Sequence, residues 1–143
     1  MKVVILCGGK GTRLREATWT ETPDRFFPFL KQFIRYTEKC VPEYLIEGAA
    51  ISPAHVAILE KETAIRACFL GTSSVSLTDI VQYASIDDWV SLLDKNEQVE
   101  LPNRIIEFSK LLKAETFRLA IPYFDVGVDR ENELQAAYKI LVS

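Results

Sequence analysis

The sequence is poor in the residue types on which several classes of site depend. It contains one histidine, His55, so a catalytic triad built on histidine has little material, and we expect this side chain to be solvated at the surface. Its three cysteines are odd in number and form no C-x-x-C pair, which argues against a disulfide framework and against a zinc site. We therefore expect Cys7, Cys40 and Cys68 to be buried reduced thiols.

Long apolar runs and a strong charge of one sign are also missing. No stretch reaches the roughly eighteen apolar residues needed to span a bilayer, and the short apolar run after Lys2 is too brief for a signal peptide. The net charge of −3 and a pI of about 5.3 argue against a general nucleic-acid or anionic-membrane surface. We expect a cytoplasmic protein without nucleic-acid or membrane partners.

What is present is ordinary globular material. The chain has 143 residues, of which 48% are hydrophobic and 26% charged, and it shows no disorder signature, internal repeat or low-complexity stretch. That length fits one domain with a sizeable core. We therefore treat residues 1–143 as a single domain.

The opening of the chain is its most informative stretch. Residues 3–6 form a short apolar, partly β-branched run that predicts a buried strand of a parallel sheet, and residues 14–17 are good helix formers. Between them stand three glycines, Gly8, Gly9 and Gly11, which let a ligand approach the backbone closely. A glycine loop followed by a helix start is a ready phosphate site, because backbone N–H groups and the positive helix end face the ligand.

The string LCGGKGTRL at residues 6–14 resembles the opening of sugar-1-phosphate nucleotidyltransferases, L-(A/C)-G-G-x-G-T-R-L. The resemblance covers residues 1–25 and implies an enzyme that binds a nucleoside triphosphate with Mg²⁺ and transfers the nucleotidyl group to a sugar phosphate. It implies catalytic roles for Arg13 and Arg25. The nucleotide-binding residues that it implies are Gly8, Gly9, Lys10, Gly11 and Thr12.

One departure from that family concerns the segment after the glycine loop. The family has a T-P-K-P-like segment whose lysine meets the phosphates, and Thr22, Pro23 and Pro28 echo it here. Asp24 stands where the lysine is expected, which reverses the local charge, and Arg25 one position on would substitute for it.

The rival interpretation of the same glycines is a P-loop, G-x-x-x-x-G-K-[ST], in which a lysine after the second glycine reaches the phosphates. Residues 9–12, GKGT, look like the tail of such a loop, with Lys10 in the lysine's place. The four-residue arch between the two glycines is missing, which counts against this interpretation.

The rest of the chain predicts alternating strands and helices. We expect a loop over residues 18–28, although a helical stripe begins at Phe26. The predicted helices are 26–40, 53–61 with Ser52 as N-cap, 77–84, 87–93, 103–120 and 131–142, and the predicted strands are 44–46, 64–70 and 123–126. The alternation indicates an α/β fold of three layers, with a mostly parallel sheet of about four strands, helices on both faces and the first strand central.

Residues 26–143 carry a second resemblance. The strings YLIEG at 44–48, RACFLG at 66–71, IEFSK at 106–110 and IPYFD at 121–125 are similar to the C-terminal part of small-molecule P-loop kinases, in particular the 2-phosphoglycerate-kinase-like group. This resemblance implies phosphoryl transfer from a nucleoside triphosphate to a small phosphorylated or hydroxylated metabolite. A third hypothesis, from a different class, is a non-catalytic nucleotide-binding domain with an incomplete site.

Two carboxylates are the candidate ligands for Mg²⁺. Glu47 and Asp125 each follow a predicted strand at the end where open α/β sheets bind ligands. The alternatives are a carboxylate beside a turn glycine for Glu47 and a loop role for Asp125. Asp87-Asp88 is more simply a helix N-terminus than a metal pair. Lys110, Lys113 and Arg118 are most simply a solvated helix face, although such a helix also offers cations to a phosphate.

Overall fold

The computed structural model describes residues 2–7, 18–41, 43–48, 51–82 and 89–143, with the backbone alone at 2–7, 18–25 and 89. Its strands are β1 (Lys2–Cys7), β2 (Glu43–Glu47), β3 (Ile65–Gly71) and β4 (Tyr123–Asp125). Its α-helices are α1 (Thr18–Cys40), α2 (Pro53–Glu62), α3 (Leu77–Gln82), α4 (Lys95–Arg118) and α5 (Arg130–Val142), and a short 3₁₀ helix covers Trp89–Leu92. The predicted α/β class is confirmed.

The strands pair in the order β2-β1-β3-β4, and every pair is parallel. β1 is paired on both sides, which is the position that its uninterrupted apolar run predicts. In register, Ile5 of β1 lies beside Ile46 of β2 and Ala67 of β3. All four carboxyl ends therefore lie at the same edge of the sheet.

β3 is buried on both faces. Ala67 and Phe69 belong to the larger core, which is built with side chains from α1, α2 and α4. Cys68, between them in the sequence, points to the opposite face, where it packs with Ala137 and Leu141 of α5. The larger core consists of Leu30, Ile34, Ile51, Val56, Leu59, Ala67, Phe69, Leu112 and Ile121.

The prediction of a loop over residues 18–28 is wrong, because α1 begins at Thr18 and contains both Pro23 and Pro28. Each proline removes one intrahelical hydrogen bond. The helix nevertheless runs on because Leu30 and Ile34 recur at helical spacing and are buried in the larger core.

The predicted start of the long helix at residue 103 is also wrong. α4 begins at Lys95 and runs through Pro102. A capping box closes its N-terminus, with the Asp94 carboxylate accepting from the Glu97 N–H at 2.9 Å and the Glu97 carboxylate accepting from the Asp94 N–H at 3.1 Å. The predicted boundary lies eight residues too late, although the D-x-x-E pattern at residues 94–97 marks the true one.

The N-terminus of α2 follows the prediction. Ser52 is the N-cap, its hydroxyl accepts from the His55 N–H at 3.3 Å, and Pro53 takes the first helical position. The expected solvated position of His55 is wrong, however. Its side chain is only 6% exposed, and its ring stacks on Phe27 of α1 with the ring centroids 4.2 Å apart.

The described cysteine side chains differ in their exposure to solvent. Cys68 is buried, and its burial raises the pKa of the thiol to about 11, so it stays protonated and unreactive. Cys40 is exposed at the end of α1, against the expectation that it is buried. Cys7 lies at the end of β1, without a described side chain.

The segment around residues 77–93 is only partly described. The described part of α3 is Leu77–Gln82, and residues 83 and 84 of the predicted helix lie outside the described residues; the 3₁₀ turn Trp89–Leu92 replaces most of the predicted helix 87–93. Asp87 and Asp88 lie outside the described residues. Among the helices that the structure describes, none is both long and apolar enough to cross a membrane.

Replacing Phe69 by alanine should lower the free energy of unfolding by about 3–5 kcal/mol, because it empties the centre of the larger core. Urea denaturation followed by circular dichroism measures the change. Phe117, on the surface of α4, is the matched control, and Phe117→Ala should change stability by less than about 0.5 kcal/mol. Equal effects of the two substitutions would contradict this description of the core.

Candidate functional site

The carboxyl edge of the sheet has a switch point between β1 and β3. From β1 the chain crosses to β2 on one side, and from β2 it crosses back over β1 to β3 on the other side. Two neighbouring strands whose connections leave in opposite directions open a crevice between them, and open α/β sheets bind ligands there. A ligand-binding site is therefore expected among the segments that follow β1, β3 and β4.

The segment after β3 is a turn of three residues with hydroxyl side chains, Thr72-Ser73-Ser74, which we name the hydroxyl turn. The Thr72 hydroxyl donates to the Ser74 carbonyl oxygen at 2.7 Å and accepts from the Ser74 N–H at 3.2 Å, which closes the turn on itself. The Thr72 N–H donates to the hydroxyl of buried Ser109 on α4 at 2.9 Å. The turn is thereby tied to the long helix behind it.

Asp125, the last residue of β4, holds that turn in place. Its Oδ1 accepts from the Ser73 N–H at 2.9 Å and from the Gly127 N–H at 3.0 Å. Burial acts to raise the pKa of Asp125, but the hydrogen bonds from Ser73 and Gly127 and the charge of Lys113 outweigh it and leave the pKa below its ordinary value. Asp125 is therefore ionised at neutral pH, and one of its oxygens already serves the turn.

Two glycines let the turn and β4 come close together. A Cβ on Gly71 would fall against the ring of Tyr123, within 2.8 Å of its carbons. A Cβ on Gly127 would fall 2.7 Å from the backbone oxygen of Ser74 and 2.9 Å from its nitrogen. Neither position has room for a side chain, so the close approach depends on glycine.

The long helix α4 brings a cation to this edge. Lys113 Nζ lies 5.9 Å from the centre of the Tyr123 ring, and its charge acts on the Asp125 carboxylate. The pKa of Tyr123 is raised to about 12 by burial and by the charge of Asp125, which together outweigh a hydrogen bond from Ser109. Tyr123 is therefore a neutral phenol that supports the edge.

Chemically, the edge presents a donor to solvent. Ser73 and Ser74 are exposed in the turn that Asp125 fixes; the Ser73 side chain is hydrogen-bonded to Asp125, so the Ser74 hydroxyl is the donor that faces solvent. A hydroxyl donor on a fixed turn with a lysine nearby suits the oxygens of a phosphate group. The negative charge of Asp125 opposes an anion there unless a cation accompanies it.

Sequence reasoning missed the turn at residues 72–74 and Ser109, and it gave Lys113 as a helix-face cation available to a phosphate. The signal for the turn was present, since Gly71-Thr72-Ser73-Ser74 follows a buried strand directly. No comparable signal marked Ser109, which meets Thr72 across 37 residues of chain.

Glu47 and Asp125, both predicted to bind Mg²⁺, are not brought together. They end the two outer strands, three strand spacings apart. Glu47 is level with Leu6 and hence with Cys68, whereas Asp125 is level with Gly71, three residues further along. With spacings of about 4.8 Å between strands and about 3.3 Å per residue, their Cα atoms are roughly 17 Å apart. That separation excludes a shared metal ion.

The remaining predicted site residues stand as follows. Gly8, Gly9, Lys10, Gly11, Thr12 and Arg13 lie outside the described residues, and Arg25 lies in α1. Within the part of the chain that is described, no group of three or more histidine, cysteine or acidic side chains is arranged to hold a metal ion.

Gly127→Ala should loosen the edge, because the added methyl must displace the backbone of Ser74. We expect a loss of about 1–3 kcal/mol in the free energy of unfolding, measured by urea denaturation. Gly48→Ala is the control, since among the described residues its methyl would meet Ile51 Cδ1 at an ordinary 3.9 Å. If Gly127→Ala is no worse than Gly48→Ala, the close packing of the edge is refuted.

Asp125 should also make stability depend on pH. Since its pKa is lowered on folding, the charge stabilises the protein above the unfolded pKa of about 4, and this contribution is lost as the pH falls through the folded value. Asp125→Asn keeps an acceptor oxygen but not the charge. Between about pH 5 and pH 2, wild type should therefore lose more stability than Asp125→Asn in urea titrations; parallel loss in both would contradict the prediction.

The chain was compared with models of protein families, with curated proteins and with solved structures, and none of them matches it. The functional proposal accordingly depends on the carboxyl edge of the sheet and on the sequence that follows β1.

Proposed function

We propose that the chain binds a nucleoside triphosphate at the carboxyl edge, between the ends of β1 and β3, and that it serves nucleotidyl transfer to a small phosphorylated metabolite. The observation that carries the proposal is the pairing of β1 with β3. This pairing places β1, which the glycine-rich sequence follows, beside β3, which the hydroxyl turn follows. Two phosphate-compatible segments thus begin on neighbouring strands at a switch point.

The layering of the fold supports the same placement. We interpret the sheet as the middle of three layers, with α5 on one face and α1, α2 and α4 on the other. With both faces of β3 covered, ligands reach it at its ends. The carboxyl end carries the hydroxyl turn.

The charges at this end favour a phosphate that arrives with a cation. Lys113 is the described cation there, and Asp125 is the described anion. The sequence adds Lys10 and Arg13 in the glycine-rich stretch. A triphosphate carrying Mg²⁺ would compensate both charges, because its phosphates would contact Lys113 and the metal ion would contact the Asp125 carboxylate.

Mg²⁺ fits here only as a companion of the nucleotide. Protein sites for Mg²⁺ commonly use one or two carboxylates plus substrate phosphates and waters. Asp125 is the described carboxylate within reach of the hydroxyl turn, and its Oδ1 already accepts two N–H groups. Glu47, roughly 17 Å away, would not contact the same ion. We therefore place at most one protein ligand, Asp125, on the metal.

A kinase-like phosphotransferase is the second candidate. The observation that favours it is that β1 pairs on one side with β2 and on the other with β3, both strands of the kinase-like body. β1, which precedes the glycine-rich sequence, thus lies in one sheet with the strands of the kinase-like part. In this second candidate, the glycine-rich sequence would bind the nucleoside triphosphate whose phosphoryl group is transferred to an acceptor bound by that part. A non-catalytic nucleotide-binding domain is the outcome if binding occurs without turnover.

Titration calorimetry with several nucleoside triphosphates and Mg²⁺ tests binding. We expect Lys113→Ala to weaken the affinity about tenfold, the usual worth of a charged hydrogen bond to phosphate. Lys110→Ala is the matched control, because Lys110 is one turn away on α4 and is paired with Glu107 at 2.7 Å. No binding at millimolar nucleotide would refute the proposal, and equal effects of the two variants would remove Lys113 from the site.

Product analysis separates the reactions. In nucleotidyl transfer Arg13 contacts the triphosphate and pyrophosphate is released, so Arg13→Ala should abolish that release while Lys10→Ala has little effect. In phosphoryl transfer Lys10 takes the leading role, and ADP formation from ATP should depend on it. Pyrophosphate release that survives Arg13→Ala would refute the transferase mechanism. Neither product from wild type would indicate the binding domain.

A further inference from the structure

Helix α1 carries two apolar stripes, and the core uses only one of them. Leu30, Ile34 and Thr37 are buried against the sheet and α2. One residue out of phase, a second set of side chains faces solvent at spacings of three, four and three residues. It comprises Phe26 (43% exposed), Phe29 (70%), Phe33 (54%) and Tyr36 (70%), which we name the outer stripe.

The rotation of α1 keeps the outer stripe away from α2. Lys31 and Arg35 both reach Glu62 of α2, at 2.8 and 3.7 Å. At 100° per residue these basic side chains lie on roughly the opposite side of the helix from the outer stripe. The stripe is therefore not a face that closes further onto α2.

The outer stripe is large for a surface that stays in water. Its four rings together expose roughly 500 Å² of aromatic surface. A single apolar patch of that size is at the upper end for a monomer, and it is more than half of the roughly 800 Å² that one partner buries in a standard interface. The polar rim of α1 would supply the remainder.

We propose that the outer stripe binds the outer stripe of a second copy of this chain, with the two α1 helices antiparallel about a two-fold axis midway between Phe29 and Phe33, so that Phe29 lies level with Phe33 and Phe26 level with Tyr36 of the other copy. A two-fold interface must be complementary to itself, which a single aromatic stripe along one helix satisfies. The three-four-three spacing is that of the a and d positions in paired helices. Phe33 is preset for this role by its edge-to-face contact with Tyr44, at 6.2 Å between ring centroids.

The helix dipoles favour the antiparallel arrangement. Side-chain charge at the end of α1 does not choose between the two directions, because Glu38 stands beside Lys39 in its last turn. Antiparallel pairing opposes the two helix dipoles, whereas parallel pairing aligns them.

Analytical ultracentrifugation over a range of concentrations tests the dimer. We expect wild type to be dimeric at about 100 µM, and the double variant F29E/Y36E to be monomeric, because it buries four like charges in the interface. F117E is the matched control, since Phe117 is 88% exposed on α4 and outside the stripe. Circular dichroism establishes that each variant is folded.

A monomeric wild type at the highest concentration would overturn the proposal, and so would a folded F29E/Y36E variant that stays dimeric. The first result would leave another protein, or a further part of a longer chain, as the occupant of the outer stripe. Loss of the dimer in F117E as well would move the interface to α4 and equally overturn the proposal.

Disulfide trapping tests the direction of the helices. In the antiparallel arrangement Phe29 lies level with Phe33 of the other copy, whereas Cys40 lies roughly 27 Å from its own copy. We expect an equimolar mixture of C40S/F29C and C40S/F33C to form a mixed cross-linked dimer on oxidation, and wild type and C40S not to cross-link, because a disulfide needs Cα atoms within about 7 Å. Efficient cross-linking of wild type that C40S removes would establish the parallel arrangement and overturn the antiparallel one.

Discussion

The burial of β3 on both faces is the constraint on which the rest of the structure depends. Phe69 and Cys68 are neighbours in the sequence but belong to different cores, so both helical faces must be in place before the strand is covered. A strand in this position is paired on both sides, here by β1 and β4. The end of β3, and with it the hydroxyl turn, is thereby held at one place relative to both neighbours.

The edge beyond β3 is built by close backbone approach before it offers any chemistry. Gly71 leaves the space for the Tyr123 ring, and Gly127 leaves the space for the backbone of Ser74. Asp125 then joins the turn to β4 by accepting from the Ser73 N–H, and it also accepts from the Gly127 N–H; each bond to a charged acceptor contributes about 1.5–3 kcal/mol. A metal that drew this carboxylate away would have to compensate for both bonds. The positional role of Asp125 therefore comes first.

Sequence reasoning succeeded where one local signal acted alone. Ser52-Pro53 placed the start of α2, and the apolar run of β1 placed that strand between others. It failed where burial overruled a local signal. The loop predicted at residues 18–28 is helical because the apolar stripe of α1 sustains the helix through Pro23 and Pro28, and the predicted start of the long helix at residue 103 missed the turns that follow the capping box of α4. The prediction that His55 is solvated is wrong because no neighbouring residue in the sequence indicates its contact with Phe27. That contact arises only when α1 packs on α2.

The two surfaces proposed for function, the outer stripe and the hydroxyl turn, both lie outside the larger core, to which Leu30 and Ile34 of α1 and Phe69 of β3 belong. α1 reaches the sheet at β2, where the Tyr44 hydroxyl donates to the Ile34 carbonyl at 3.3 Å, whereas the hydroxyl turn lies at the end of β3. Burial of Leu30 and Ile34 contributes about 1.5–3 kcal/mol for each side chain, whereas the solvent-screened ion pair of Lys31 with Glu62 contributes little. The core, not the ion pairs, therefore sets which face α1 turns outward. Since that core does not include the hydroxyl turn, charge placed on the outer stripe would act on association and leave the carboxyl edge as it is.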